Sequence, residues 1–227
     1  MQRSASTITI ILVVSVAVFV GIALLVQMGL TRGFDEALMS ALRNSADMND
    51  PLGPRWFEET AGDITALGGY PILVLLTLGV LAVLWMKGKR AAVAVVLAST
   101  MLGSLLSTGL KLLFARPRPD LVDHMDQTFT SSFPSAHAMV STIVWLTLAT
   151  LATRFVTEPG LRRMLLAFAA IIVALIGISR VYLGVHWPTD VVAGWAAGLA
   201  WASACWLVVY RINRNTPRKV DLGHEAV

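Results

Sequence analysis

Three short groups of polar residues stand at the ends of apolar stretches: Lys111 with Arg118-Pro119, Pro134-Ser135-Ala136-His137, and Ser179-Arg180 with His186 and Asp190. Charge beside hydrocarbon is costly, and where it persists it marks a functional site. Together the groups supply the permanent cations Lys111, Arg118 and Arg180, two imidazoles, a hydroxyl and a carboxylate. Such a set could bind a phosphate and displace it through a phosphohistidine.

Each group has a local physical reading. Pro117 and Pro119 cannot continue a helix, so the chain leaves the apolar stretch there in extended form with Arg118 held between them. A guanidinium offers a planar fork matched to phosphate oxygens, and Lys111 adds a point charge. Snorkelling toward headgroups competes with that reading for Lys111 and Arg118, and it is the reading adopted for Arg116. Ser135 is a natural N-cap, and the free N–H groups of the helix it opens attract anions. His137 then points into the same region, where it could donate a proton to a leaving oxygen. The competing view is a capped helix with an incidental polar residue.

Pro188 suits the first position of the last helix, which puts Asp190 in its first turn. There the carboxylate could accept the Nδ1–H of His186 and leave Nε2 as a nucleophile. Complementing the helix dipole is its alternative role. Tyr182 and Trp187 read as interfacial anchors, and Gly194 with Gly198 as a close helix-packing pair.

The elements that must position these residues are membrane spans. The chain has 227 residues, of which 56% are hydrophobic and 14% charged, with mean hydropathy +0.70. Soluble domains average about 25% charged residues. Six stretches approach the ~20 residues that cross a bilayer core: Thr7–Met28, Tyr70–Met86, Ala91–Phe114, Ala138–Thr153, Met164–Ile178 and Val191–Tyr210. The expected fold is therefore all-α, a polytopic membrane protein forming one domain over residues 1–227. The first stretch is read as an uncleaved span, being longer than a signal-peptide core and lacking a cleavage motif after Met28. Cys205, the lone cysteine, excludes an intrachain disulfide. The cations are scattered over loops without a continuous basic face, which excludes nucleic acid as a partner.

Loop charge predicts orientation. Arg3, then Lys87, Lys89 and Arg90, then Arg154, Arg162 and Arg163, then Arg211, Arg214, Arg218 and Lys219 fall on one side. The positive-inside rule makes that side cytoplasmic, with both termini inside and all three polar groups outside. The long acidic loop from Leu30 to Gly69 has Phe34, Leu38, Ala41 and Leu42 at helical spacing, which predicts a short amphipathic surface helix. Asn49-Asp50-Pro51 and Gly53-Pro54 break it, and Trp56 with Phe57 suit an interfacial anchor. A solvated connector is the preferred role for this loop, and a lid over the site the second. His124 and His224 are read as solvent-exposed loop residues.

The three groups together resemble the type 2 phosphatidic acid phosphatase superfamily, which also contains the vanadium haloperoxidases. That family's signature has the parts K-x6-RP, PSGH and SR-x5-H-x3-D. Lys111 to Arg118-Pro119 matches the first and Ser179-Arg180 to His186 and Asp190 the third, both without a gap. In the second, Ala136 replaces the family's glycine, a departure that bears on substrate choice and leaves the backbone N–H intact.

The resemblance implies that Lys111, Arg118 and Arg180 hold phosphate oxygens, with Ser135, Ala136 and nearby backbone N–H groups completing the cradle. His186 would attack phosphorus, Asp190 would orient it, and His137 would protonate the departing oxygen and then activate water. No cofactor or metal is implied, since fixed cations stabilise the transferring group and would repel a metal ion. The expected activity is hydrolysis of a lipid phosphate or diphosphate among membrane lipids: undecaprenyl diphosphate, phosphatidylglycerol phosphate or phosphatidic acid. Phosphotransfer to a second lipid uses the same chemistry. A transporter is the non-enzymatic alternative, disfavoured because the charges gather at one face and avoid the middle of the spans.

Overall fold

The computed structural model describes residues 2–122 and 130–215, so His124 and His224 lie outside the described residues. In chain order the elements are α1 (Gln2–Gln27), α2 (Arg32–Ser40), β1 (Arg43–Asn44), β2 (Asp47–Pro51), α3 (Arg55–Ala66), α4 (Tyr70–Met86), α5 (Arg90–Phe114), α6 (Ala136–Ala152), α7 (Pro159–Tyr182) and α8 (Pro188–Asn215). A 3₁₀ turn, Thr153–Phe155, extends α6.

Five helical stretches among the described residues are long and apolar enough to cross a membrane: Ala5–Gln27, Arg90–Phe114, Ala136–Phe155, Pro159–Tyr182 and Pro188–Ile212. Alone, α4 has 17 residues, about 25 Å of helix against a hydrocarbon core of about 30 Å. It joins α3 as a pair bent by 45°, which gives five or six spans in all. Every expected apolar stretch falls within one of these helices save that Met28 lies just past the end of α1. The expected Met164–Ile178 is lengthened at both ends, because Pro159 starts α7 early and Ser179-Arg180 form part of its last turn.

The bundle is organised around α8, against which α1, α5, α6 and α7 all pack. Small residues allow that proximity. A Cβ on Gly194 would lie 2.7 Å from the Ser135 carbonyl oxygen, and one on Gly198 2.6 Å from that of Met139. Gly103 of α5 likewise lies against Ile143 and Trp201, and Gly177 of α7 against Trp195. Outward faces carry exposed Leu105, Leu112, Leu113, Phe168 and Ile171, as lipid contact requires.

Residues 30–69 depart from expectation. The helix predicted there is α2, and the face it buries against the protein is that of Asp35 and Met39. Phe34 is 60% and Leu38 42% exposed, whereas Asp35 is 0% and Met39 1% exposed. Met39 packs with Ala138, Val181, Trp187 and Val191, so α2 is docked onto the helices that hold the polar groups. Its apolar Phe34 and Leu38 face outward, as in a helix lying at a membrane surface, and an amphipathic period alone cannot tell protein from membrane.

After α2 comes a two-stranded antiparallel hairpin, which the turn residues did not reveal as strand. Buried Arg43 pins it by donating to the Tyr182 carbonyl at 2.9 Å, and desolvation lowers that guanidinium's basicity despite nearby Glu58. The reading of this loop as a solvated connector is therefore corrected: α3 packs on α7, and Phe57 meets Tyr182 edge to face at 5.2 Å. Trp56 is exposed, as an interfacial anchor would be.

Candidate active site

The three polar groups meet at one end of the bundle because each sits where a helix starts or stops. Lys111 is in the last turn of α5, and Ala115 ends that helix in a left-handed conformation. The chain then runs without regular structure past Pro117 and Pro119, as the prolines require. Ser135 caps α6, its hydroxyl accepting from the Ala138 N–H. Arg180 lies in the last turn of α7. His186 occupies the short turn before Pro188 starts α8, which places Asp190 in the first turn as expected.

Backbone and side-chain bonds stitch the groups together. Arg118 Nη1 donates to the Val185 carbonyl at 2.6 Å and lies 3.4 Å from His186 Nε2, while its Nε donates to the Thr130 carbonyl at 2.8 Å. Lys111 Nζ donates to the Ser131 carbonyl at 2.5 Å. The Ser135 N–H donates to the Asp190 carbonyl at 3.0 Å, joining the second group to the third. Arg180 accepts the Val185 and His186 N–H groups on its carbonyl and donates from Nη1 to Thr65 Oγ1 at 3.0 Å.

Electrostatics follow from that convergence. His186 is 1% exposed. Its basicity is held well below the ordinary imidazole range, first by desolvation and then by Arg118, Lys111, Arg180 and His137. His137 is therefore close enough to be felt, and it is only half-buried, beside Gly68 of the α3–α4 turn. A neutral, buried imidazole ringed by cations can attack an electrophile that carries several negative charges.

Asp190 is fully buried and its contacts differ from expectation. His186 Nδ1 lies 3.5 Å from Asp190 Oδ2, beyond the usual 2.7–3.2 Å of an N–H···O bond. Both carboxylate oxygens are already engaged: Oδ1 accepts from Arg116 Nη1 at 2.6 Å, and Oδ2 accepts from the Ser132 hydroxyl and from the Trp187 N–H at 3.0 Å. The last bond is an N3 side chain reaching back to its own N-cap. Such apo contacts often tighten only when substrate is bound.

Arg116 also departs from expectation. It does not snorkel: its side chain is 13% exposed and bridges Asp35 at 2.8 Å and Asp190 at 2.6 Å. Arg116, read in the sequence as a snorkelling cation, thus joins the site, as do Asp35, Ser132 and Thr65, which were not assigned to it from the sequence. Only Asp35 left a trace there, as a carboxylate on a helix next to apolar residues. Ala136 is the first residue of α6 and needs no left-handed backbone, so glycine is not required at that position. Tyr182 and Trp187, expected at the membrane interface, are instead buried beneath the loop elements.

A separate cavity between α5, α6 and α8, lined by Ser99, Thr147, Arg154 and Cys205 among others, is remote from this chemistry. Arg154 lies roughly 25 Å further along the α6 axis than His137.

Residues 92–214 match the PAP2 superfamily. Phosphatidylglycerophosphatase B of Bacillus subtilis is 33% identical over 147 residues, which cover 63% of this chain and 71% of that protein. Undecaprenyl-diphosphatase of Sulfolobus acidocaldarius is 40% identical over 72 residues, 32% of this chain and 30% of that protein. Among solved structures, a transmembrane PAP2-type phosphatidylglycerolphosphate phosphatase from Bacillus subtilis superposes with a TM-score of 0.80 at 28% identity, over 90% of this chain and 98% of that one.

Proposed function

The chain belongs to the PAP2 superfamily and is a multi-pass membrane phosphatase, and from that premise we propose that it hydrolyses a lipid phosphate or diphosphate through a phosphohistidine on His186, at the outer face of the membrane. One observation carries the reading: Arg118 Nη1 lies 3.4 Å from Nε2 of the buried His186, at the bundle end where Lys111 and Arg180 occupy the last turns of their helices.

In the first step Nε2 of His186 attacks phosphorus, and the bond from phosphorus to the lipid-side oxygen breaks. His137 gives that oxygen its proton. In the second step His137 takes a proton from water, the resulting hydroxide attacks phosphorus, and the N–P bond breaks to release inorganic phosphate and neutral His186. Lys111, Arg118 and Arg180 balance the charge on the equatorial oxygens, where preorganised donors are most effective. The free N–H groups in the first turn of α6 add to that cradle, with Ser135 fixing where the turn begins. Asp190 holds His186 and offsets its positive charge while phosphorylated.

The relatives support a lipid-phosphate substrate. Phosphatidylglycerol phosphate is taken as the first candidate, since a phosphatidylglycerophosphatase is 33% identical over 71% of its own length. Undecaprenyl diphosphate and phosphatidic acid present the same phosphate chemistry. Charge supports the orientation: Lys87, Lys89, Arg90, Arg154, Arg162 and Arg163 flank the helix ends opposite the site, where the positive-inside rule favours the cytoplasm.

Phosphate release from purified phosphatidylglycerol phosphate, undecaprenyl diphosphate and phosphatidic acid, compared with a His186→Ala variant, tests the reading. Loss of at least about 10³-fold in kcat with a folded variant is expected for removal of a nucleophile. Near-normal turnover would overturn the assignment. Labelled phosphate arriving on a second lipid would convert hydrolysis into transfer.

A further inference from the structure

Asp190 is held by a second buried carboxylate that comes from the loop helix. Asp35 of α2 is 0% exposed. Its Oδ2 accepts from Arg116 Nη2 at 2.8 Å and from the Thr189 hydroxyl at 2.7 Å, and its Oδ1 accepts from the Thr189 N–H at 2.9 Å. Arg116 spends its other terminal nitrogen on Asp190 Oδ1 at 2.6 Å and Thr189 Oγ1 at 2.9 Å. The N–H of Thr189 belongs to the first turn of α8, so Asp35 also caps, from a distant segment, the helix that begins just after His186.

We infer that Asp35, acting through Arg116, is a positioning residue that fixes the orientation of Asp190 and keeps its negative charge available to His186; this rests on the reading of His186 as the nucleophile. Two physical arguments support it. The first is geometric. Arg116 grips Asp190 Oδ1 while Ser132 and the Trp187 N–H grip Oδ2, which leaves the carboxylate a single orientation 3.5 Å from His186 Nδ1. The guanidinium is held in turn by Asp35 and by Thr31 Oγ1 at 3.2 Å.

The second is electrostatic. Arg116 alone would cancel the charge of Asp190. With Asp35 on its other side, the trio keeps one net negative charge beside an imidazole otherwise faced by Lys111 of α5, Arg118, His137 of α6 and Arg180 of α7. That surplus favours the positively charged form of His186 that phosphorylation creates. A buried ion pair contributes little to stability compared with apolar packing, so a trio retained beside a nucleophile is better explained by positioning.

The test uses the full-length protein in detergent or lipid, with steady-state kinetics and thermal unfolding for Asp35→Asn and Asp35→Glu. Asp35→Asn removes one charge while keeping the shape. Its kcat should fall about 10- to 100-fold, the scale of a small misplacement of a reacting group, with KM unchanged within about threefold. The acid limb of kcat/KM should move to lower pH, because a negative charge near His186 has gone. Asp35→Glu should recover part of kcat and return the limb.

A folded Asp35→Asn protein with wild-type kcat and an unmoved acid limb overturns the inference. So does a loss confined to KM. Should Asp35→Asn fail to fold, Arg116→Lys decides the matter, since it keeps a cation between the two carboxylates but loses the fork. A lower kcat at constant KM supports positioning, and an unchanged kcat overturns it. His186→Ala separates the two levels: if it is inactive while Asp35→Asn is fully active, only the role of Asp35 falls.

Discussion

Nη1 of Arg118 lies 3.4 Å from Nε2 of His186. The guanidinium that would hold a phosphate oxygen is thus in contact with the nitrogen that would attack the phosphorus. Arg118 is not free to swing, since the Val185 and Thr130 carbonyls accept from it at 2.6 and 2.8 Å. Fixed donors of this kind need no reorganisation as charge shifts during transfer.

Arg118→Lys is therefore expected to fail despite its conserved charge. An ammonium is a point charge on a flexible stem and cannot bond two carbonyls and a phosphate edge at once. A loss of about 10- to 100-fold in kcat/KM is expected, in line with about 1.5–3 kcal/mol for a charged hydrogen bond. Steady-state kinetics on a lipid phosphate check it, and wild-type kcat/KM would remove Arg118 from the site.

The pH profile should show a depressed imidazole. Burial and then Arg118, Lys111, Arg180 and His137 lower the basicity of His186. An attacking imidazole must be neutral, so His186 acting as nucleophile would survive acidification below the ordinary imidazole value of about 6.5. Activity should be lost only as pH falls through the lower, shifted value. kcat/KM against pH reports this free-enzyme ionisation once the substrate phosphate, with a second pKa of about 6, is allowed for. Arg118→Gln removes one repelling cation and should shift the imidazole limb toward higher pH, provided residual activity is measurable.

Ala136→Gly tests the departure from the family signature. Ala136 starts α6 with an ordinary helical backbone, so the methyl group neither strains the chain nor removes an N–H. Glycine there is expected to leave kcat within about threefold on the best substrate, while costing up to about 1 kcal/mol in stability from added chain freedom. Relative rates across the lipid panel should change more than the best rate does. A collapse of kcat on every lipid would show that the methyl supports the reaction itself.

Much of the site was legible in the sequence because its parts are local. A proline beside a polar group marks where a helix can start or stop: Pro117 and Pro119 follow the helix end that carries Lys111, Pro134 precedes the cap Ser135, and Pro188 opens the helix whose first turn holds Asp190. The spans were legible because a bilayer demands long apolar runs whatever the tertiary packing. Arg116 and Asp35 were not legible. They are 81 residues apart in sequence, and nothing local distinguishes a cation that snorkels from one that bridges two buried carboxylates. That α2 docks its Asp35 and Met39 face onto the bundle was not legible for a related reason. In a membrane protein the apolar side of a surface helix faces lipid, and the polar side can face the protein. Ser132 was indistinguishable from its neighbour Ser131 without the fold.

Gly194 and Gly198 hold α8 against α6, and so hold Asp190 against Ser135. A Cβ on Gly194 would lie 2.7 Å from the Ser135 carbonyl and 2.9 Å from the Ala138 methyl, and one on Gly198 2.7 Å from Thr142 Cβ. Neither backbone can yield cheaply. Gly194→Val should cost about 1–3 kcal/mol through overpacking, read as a lower unfolding temperature in detergent. It should also lower kcat, because the bond from the Ser135 N–H to the Asp190 carbonyl would lengthen. Wild-type stability and kcat together would show that the helices can separate without disturbing the site.

Thr65 extends the site into the last turn of α3. Its hydroxyl accepts from Arg180 Nη1 at 3.0 Å, and both residues are buried. Thr65→Val keeps the shape and deletes the acceptor, leaving that guanidinium nitrogen without the bond. The expected loss in kcat/KM is about tenfold, equivalent to about 1.4 kcal/mol. It should appear mainly in KM if Arg180 grips ground-state phosphate, and mainly in kcat if it tightens only as the P–O bond breaks. Thr65→Ser restores the hydroxyl without the methyl and should regain most of the loss. Failure of that rescue would assign the effect to packing of α3 on α7, with no part played by the Arg180 bond.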